Sequence, residues 1–310
     1  MIVDAFAHFL PPKYFSAVLK KAKPGSISER TMTNKANTSI EFRLRVMERY
    51  PEMVQVLTIS QPAIEAVVPP AAAVDLARRG NDEIAELLVK YPGKFIAGVA
   101  SLPMSDIDAS LKETERTINE LKFRGIQLYS NINGEPLGSP RFKPLYEMMT
   151  KFDLPIWIHP WMGKSGDEAV FGWPFETSSA MLNLVESRIF QDCPKIEFII
   201  HHAGAMVPFF EQRINWLFPL AFAASKIPDP VKDFQKFFVD TAIYGSTPAL
   251  MCSYNFYGID HMLFGADMPL GPLFGLTMQT IDSINRMPLS QEDKNKIFSQ
   301  NAVKLLRLAI

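Results

Sequence analysis

Several things are scarce in this chain of 310 residues. It has two cysteines, Cys193 and Cys252, too few for a disulfide framework and in keeping with a reducing compartment. Neither sign of charge is in excess, with 32 Lys+Arg against 33 Asp+Glu. Nucleic-acid and membrane-surface binders depend on a basic surplus, so both classes are excluded as expectations. No run of about 18 apolar residues occurs, which removes a membrane-spanning helix. The opening Met1-Ile2-Val3-Asp4 has no basic stretch ahead of an apolar core, so no secretory signal is expected. These absences predict a soluble, cytoplasmic protein with neither nucleic-acid nor membrane partners. Histidine is scarce too, at five residues, and their placement says more than any bulk figure.

What is present is a repeated pattern of short apolar runs, each followed by turn residues and a helical stretch. The runs are Ile2–His8, Met53–Ser60, Lys94–Ser101, Gly125–Ser130, Leu154–His159, Ile196–His202, Phe237–Ala242 and Met262–Asp267. Their Val, Ile and Phe content and their length suit buried parallel strands. Eight strands alternating with helices predict an α/β fold, a closed (β/α)8 TIM barrel. With no internal repeat and no low-complexity linker, residues 1–310 are read as one domain. Ser105 before Asp106–Lys122, and Ser290-Gln291-Glu292-Asp293 before the last amphipathic helix, look like helix starts. Segments 13–38, 160–175 and 268–277, after strands one, five and eight, are too long for simple connections. Each follows a strand C-terminus, the face on which barrel enzymes build their sites, so a pocket wall or lid is expected there.

His8, His159, the His201-His202 pair and Asp267 fall at predicted strand C-terminal ends. Strand alternation groups Asp4, Phe6 and His8 on one inward face, leaving Ala5 and Ala7 for helix packing. The same parity groups Ile196, Phe198, Ile200 and His202, with His201 opposite as a structural hydrogen-bonding residue. His261 begins strand eight at the far end of the barrel and is set aside. Imidazole nitrogens and a carboxylate converging on one mouth are the ingredients of a Zn²⁺-type site.

These residues carry a resemblance. Val3-Asp4-Ala5-Phe6-Ala7-His8-Phe9-Leu10-Pro11 resembles the D-x-H-x-H-x-x-P opening of the amidohydrolase superfamily. More narrowly, it is similar to the branch of 2-amino-3-carboxymuconate-6-semialdehyde, γ-resorcylate and related aromatic-acid decarboxylases. Ile158-His159-Pro160-Trp161 is similar to that branch's strand-five ligand motif. His202-Ala203-Gly204-Ala205 through Pro208-Phe209 to Arg213-Ile214 resembles its strand-six catalytic-histidine segment. Phe264-Gly265-Ala266-Asp267-Met268-Pro269 resembles its strand-eight G-[ST]-D-x-P motif. The ordered set spans the chain from Met1 to the last helix. One position departs: Phe6 stands where the branch has its first metal-binding His or Glu, and phenylalanine cannot coordinate a metal. Asp4 is no simple substitute, lying two strand residues, about 6.6 Å, lower.

The resemblance implies a divalent metal, zinc or alternatively manganese, held by His8, His159 and Asp267. Three protein ligands still make a catalytic zinc site. His202 is the candidate general acid/base, since imidazole exchanges protons near neutral pH, and Asp267 the second catalytic residue. Arg213, eleven residues after His202, implies a homodimer in which it grips the carboxylate in the neighbouring site; otherwise it is a solvated arginine. Its planar fork suits carboxylates. Lys164, Arg45 and Arg30 are further carboxylate partners, while Arg43 and Arg45 could equally form a helix's solvated face. Trp161 and Phe6 complete the expected pocket, with Trp161 and Trp173 able to stack on an aromatic ring. The implied reaction is non-oxidative, metal-assisted decarboxylation of a small aromatic or unsaturated carboxylic acid. Two alternatives stay open: a hydrolase of a lactone, ester or C–C bond, with or without a metal, and a non-catalytic barrel binding an acidic metabolite.

Overall fold

The computed structural model describes residues 1–22, 27, 33–161, 170–271 and 276–309. Eight short parallel strands form its centre: β1 Ile2–Phe9, β2 Met53–Ile59, β3 Phe95–Gly98, β4 Ala100–Ser101, β5 Ile126–Tyr129, β6 Ile156–His159, β7 Phe198–Ile200 and β8 Phe238–Val239. They pair in the order β1-β2-β3 and β4-β5-β6-β7-β8. β3 and β4 are one stave interrupted at Val99, whose N–H donates to the Leu57 carbonyl while that of Ala100 donates to Gly125. The last stave bridges β8 at Met262, and the Ala5 N–H returns to the Phe264 carbonyl at 2.9 Å. The circle is therefore closed, as a (β/α)8 barrel requires.

The expected strand Met262–Asp267 is not a regular strand beyond that bridge. Side chains take over its backbone bonds. The Thr241 hydroxyl accepts from Gly265 N–H at 3.1 Å, and Asp4 Oδ1 accepts from Ala266 N–H at 3.2 Å. Asp267 then has φ 56, a left-handed turn that ends any ladder.

Side chains alternate between two packed layers. Val56, Val99, Trp157, Ile199 and Leu263 join Phe6 in an inner cluster, whereas Leu57, Ile156, Ile158, Phe198 and Ile200 pack outward with the helices. Each fully buried apolar side chain contributes roughly 1.5–3 kcal/mol to stability. Parity on β7 thus holds, but the apolar Phe198/Ile200 face turns to the helices. Ile199 and His201 face inward, the reverse of the expectation.

The grouping on β1 also needs correction. Asp4 pairs with Gln55 and Ala7 with Leu57, three residues against two. This β-bulge rotates the chain between them. Ala5 and Phe6 both enter the inner cluster, and Asp4 receives a 3.3 Å hydrogen bond from Gln55 Nε2. Gln55 in turn accepts from Nε of Arg43, on helix Ile40–Met47, at 3.0 Å. Asp4 therefore faces the helix layer.

Helix starts follow local chemistry. Asp106, one residue past the expected Ser105, caps helix Ile107–Asn119 by accepting from Ala109 N–H at 3.0 Å. Ser290 accepts from Asp293 N–H at 3.1 Å, as its capping-box spacing predicts. Such a cap is worth about 1 kcal/mol.

Candidate active site

Four buried side chains meet at the C-terminal mouth of the barrel. His8, His159, His201 and Asp267 each offer one donor atom, all within 4.8 Å of one another. The three histidines are each fixed from behind. His8 is in register with Thr58 on β2, whose hydroxyl lies 2.7 Å from its Nδ1. His159 Nδ1 is 2.7 Å from the Pro160 carbonyl; a carbonyl only accepts, so Nδ1 carries the proton and Nε2 presents the lone pair. His201 Nδ1 contacts Asp240 Oδ2. The other oxygen of Asp240 accepts from the N–H groups of Ala203 and Ala242 at 3.2 and 3.0 Å.

Asp267 Oδ1 sits 3.1 Å from His8 Nε2 and 3.2 Å from His201 Nε2. These contacts are close but misaligned, and all three atoms lack a hydrogen-bond partner among the described residues. Orphaned buried polar atoms are costly. Here they face a common centre with borderline-soft nitrogens and one hard oxygen, the donor set of a divalent transition metal. The residues fit such an ion.

Burial dominates the protonation of the site. It holds His8 below its ordinary pKa despite Asp267, and His159 well below. For His202, burial and then the neighbouring charge of His201 push the value down to about 3. His201 is the exception: burial opposes its charge, but Asp240 and Asp267 outweigh burial and raise it to about 10. Burial would raise Asp267, yet His201 and His8 hold it well below the carboxylate range.

The family model described as Amidohydrolase matches residues 3–308. The chain belongs to that family. A 2-amino-3-carboxymuconate-6-semialdehyde decarboxylase from Dictyostelium discoideum is 30% identical, over 86% of this chain and 76% of that one. A γ-resorcylate decarboxylase from Rhizobium sp. is 28% identical, over 86% and 87%. The crystal structure of a 2,6-dihydroxybenzoate decarboxylase, complexed with 2,6-dihydroxybenzoate, superposes with a TM-score of 0.81 at 25% identity, covering 99% of both chains. This amidohydrolase is thus a member of the decarboxylase branch.

Other expected site residues of this amidohydrolase fall into three groups. His202 lies at the mouth, its ring 4.2 Å from that of His201 and its Nδ1 without a partner among the described residues. Trp161 is held there too: its N–H donates to Ser130 Oγ at 2.9 Å and its carbonyl accepts from Asn131 at 3.0 Å. Phe6, expected in the pocket, has no exposed surface. It stacks on His201 at 4.2 Å and 25°, so it touches the histidines. Arg45 is exposed over the Phe42 ring at 5.5 Å. Two residues from the inward-facing Arg43, it points around the opposite side of its helix. Arg213 is exposed on helix Glu211–Ala221. Lys164 and Arg30 lie outside the described residues.

Sequence reasoning set His201 at the strand end but turned it away from the other donors as a structural residue, and it overlooked Thr58, Tyr129 and Asp240. Tyr129 ends β5 with its ring 5.4 Å from His159 and 5.7 Å from Trp161. Its place at a strand C-terminus was the available signal. Arg43, expected as a possible solvated arginine, is fully buried and tied to Gln55, Ala36 and Met268.

Proposed function

We propose that this amidohydrolase is a cytoplasmic, metal-assisted decarboxylase of a small aromatic or unsaturated carboxylic acid. The convergence of His8, His159 and Asp267 at the barrel mouth carries the reading, and the named activities of the relatives support it. These three residues hold a divalent metal, zinc in preference to manganese because imidazoles outnumber carboxylates. When bound, the metal supplies Lewis-acid stabilisation of the substrate carboxylate and an adjacent oxygen.

The chain's own groups do the rest. Decarboxylation puts a proton on the carbon that carries the carboxylate, breaks the C–C bond and releases CO₂. His202, buried beside the cluster with an Nδ1 unpartnered among the described residues, manages that proton, with Asp267 as the second acid/base group. The Tyr129 ring contacts those of both His159 and Trp161, and the two aromatic side chains give an aromatic substrate a surface to stack on. Burial keeps the Tyr129 hydroxyl protonated, available as a donor.

Arg213 completes the site from a neighbouring subunit of a homodimer. Its helix and the preceding turn expose Phe209, Trp216 and Leu220 at 77%, 71% and 79%, an apolar surface of the kind that association covers. CO₂ release measured across hydroxybenzoates tests the activity; no release from any of them refutes it. Light scattering tests the dimer, and a monomer removes the role of Arg213.

A further inference from the structure

We infer that His201 is the metal ligand that takes over from the one lost at Phe6. Strand β1 carries one histidine at the mouth where the resembled motif has two, and a phenylalanine occupies the vacated position. The structure fills that gap from across the barrel. The His201 ring lies nearly parallel on Phe6 at 4.2 Å. Its Nε2 joins His8, His159 and Asp267 within 4.8 Å and has no hydrogen-bond partner of its own among the described residues.

The backing of His201 is that of a metal-bound imidazole. Asp240 holds Nδ1, and two backbone N–H groups hold Asp240. Such a carboxylate fixes the ring and its tautomer, leaving Nε2 as the donor. Phe6 adds a wall: its ring also stands 5.2 Å from His8 and 6.0 Å from His159. It closes the floor of the site with apolar surface, so the ligand has to come from the side, just past the end of β7. The two adjacent histidines then divide the work, with His201 on the ion and His202 free for the proton.

This inference rests on the metal-binding part of the proposed function and not on the reaction. The test is Zn²⁺ titration of metal-stripped protein against a chromophoric chelator, in the wild type, His201→Ala, Phe6→His and the Phe6→His/His201→Ala pair. Wild type should bind one Zn²⁺ per chain. His201→Ala should bind about 100-fold more weakly, and the pair, with a ligand restored on β1, should recover most of that loss. His201→Gln provides a gentler variant should the alanine fail to fold, and should also bind weakly. Circular dichroism confirms that each variant is folded. Unchanged affinity in His201→Ala overturns the inference while leaving the metal site standing, as does a folded pair that recovers nothing. A wild type that binds no Zn²⁺ overturns the metal reading and this inference with it.

Discussion

Glu65 should make the protein less stable as pH rises, and replacing it with glutamine should remove that dependence. The residue sits in the short helix Ile64–Val67 beyond β2, 8% exposed. Burial lifts its carboxyl from 4.5 to about 7, and only its own backbone hydrogen bond opposes this. The folded chain keeps this proton to about pH 7, whereas the unfolded chain releases it near 4.5. Between those values the folded state binds the extra proton, so the contribution is full below 4.5 and is lost as pH climbs through 7. At 1.36 kcal/mol per pH unit, the rise from 4.5 to about 7 amounts to about 3 kcal/mol. Tyr14 and Tyr129, which feel the Glu65 charge, are themselves pushed up and stay neutral throughout. Urea unfolding of wild type and Glu65→Gln at about pH 5 and pH 8 isolates the effect, since every other titrating group cancels in the difference. The variant should gain about 2–3 kcal/mol relative to wild type on going from the lower pH to the higher. A difference that stays constant across that range, with equal m-values, would falsify the reasoning.

Arg43→Met should cost about 3–5 kcal/mol, because it strips a buried charge from Gln55, Met268 and the neighbouring Asp4. Arg43→Lys should recover only part of this, since an ammonium cannot reproduce the fork; urea midpoints check both. Gly204→Ala should lose at least about 2 kcal/mol, as φ is 76° and the new Cβ would stand 2.2 Å from the Tyr257 hydroxyl oxygen. Thermal unfolding reads this loss, and a stability equal to wild type would show that the turn can relax.

The fold was legible because strand runs and helix signals recur at barrel spacing, and the core of seven of the eight predicted strands lies where the apolar runs are. The eighth was less so. Its bonds go to the side chains of Thr241 and Asp4, partners from distant parts of the chain that no local pattern reveals. Which residues gather at the mouth was readable from strand ends, as His8, His159 and Asp267 demonstrate. Which way they face was not always readable. A bulge on β1 turned Asp4 toward the helices, and a strict alternation rule has no means to anticipate an inserted residue. On β7, parity alone leaves two choices of face. Both Phe198/Ile200 and Ile199 are apolar, so hydrophobicity did not break the tie.

The histidine pair shows why this ambiguity sits at the functional end of the strand. In a continuing strand, His201 and His202 would point to opposite sides, and one imidazole would be buried among the helices. The chain avoids this by leaving the extended region after His201. His202, Ala203, Gly204 and Ala205 all have positive φ, of 59, 54, 76 and 53°. Three of them are not glycine, a conformation that costs about 1–2 kcal/mol per residue. The turn is braced from helix Thr247–Tyr257, where the Ser253 hydroxyl donates to the Ala203 carbonyl at 2.8 Å and Tyr257 packs against Gly204. Asp240 links the turn to the cluster, accepting from Ala203 N–H while contacting His201. The strained backbone therefore lets two consecutive imidazoles reach one mouth in different orientations, one beside Asp267 and one beside the first, which a regular strand of any sequence could not do.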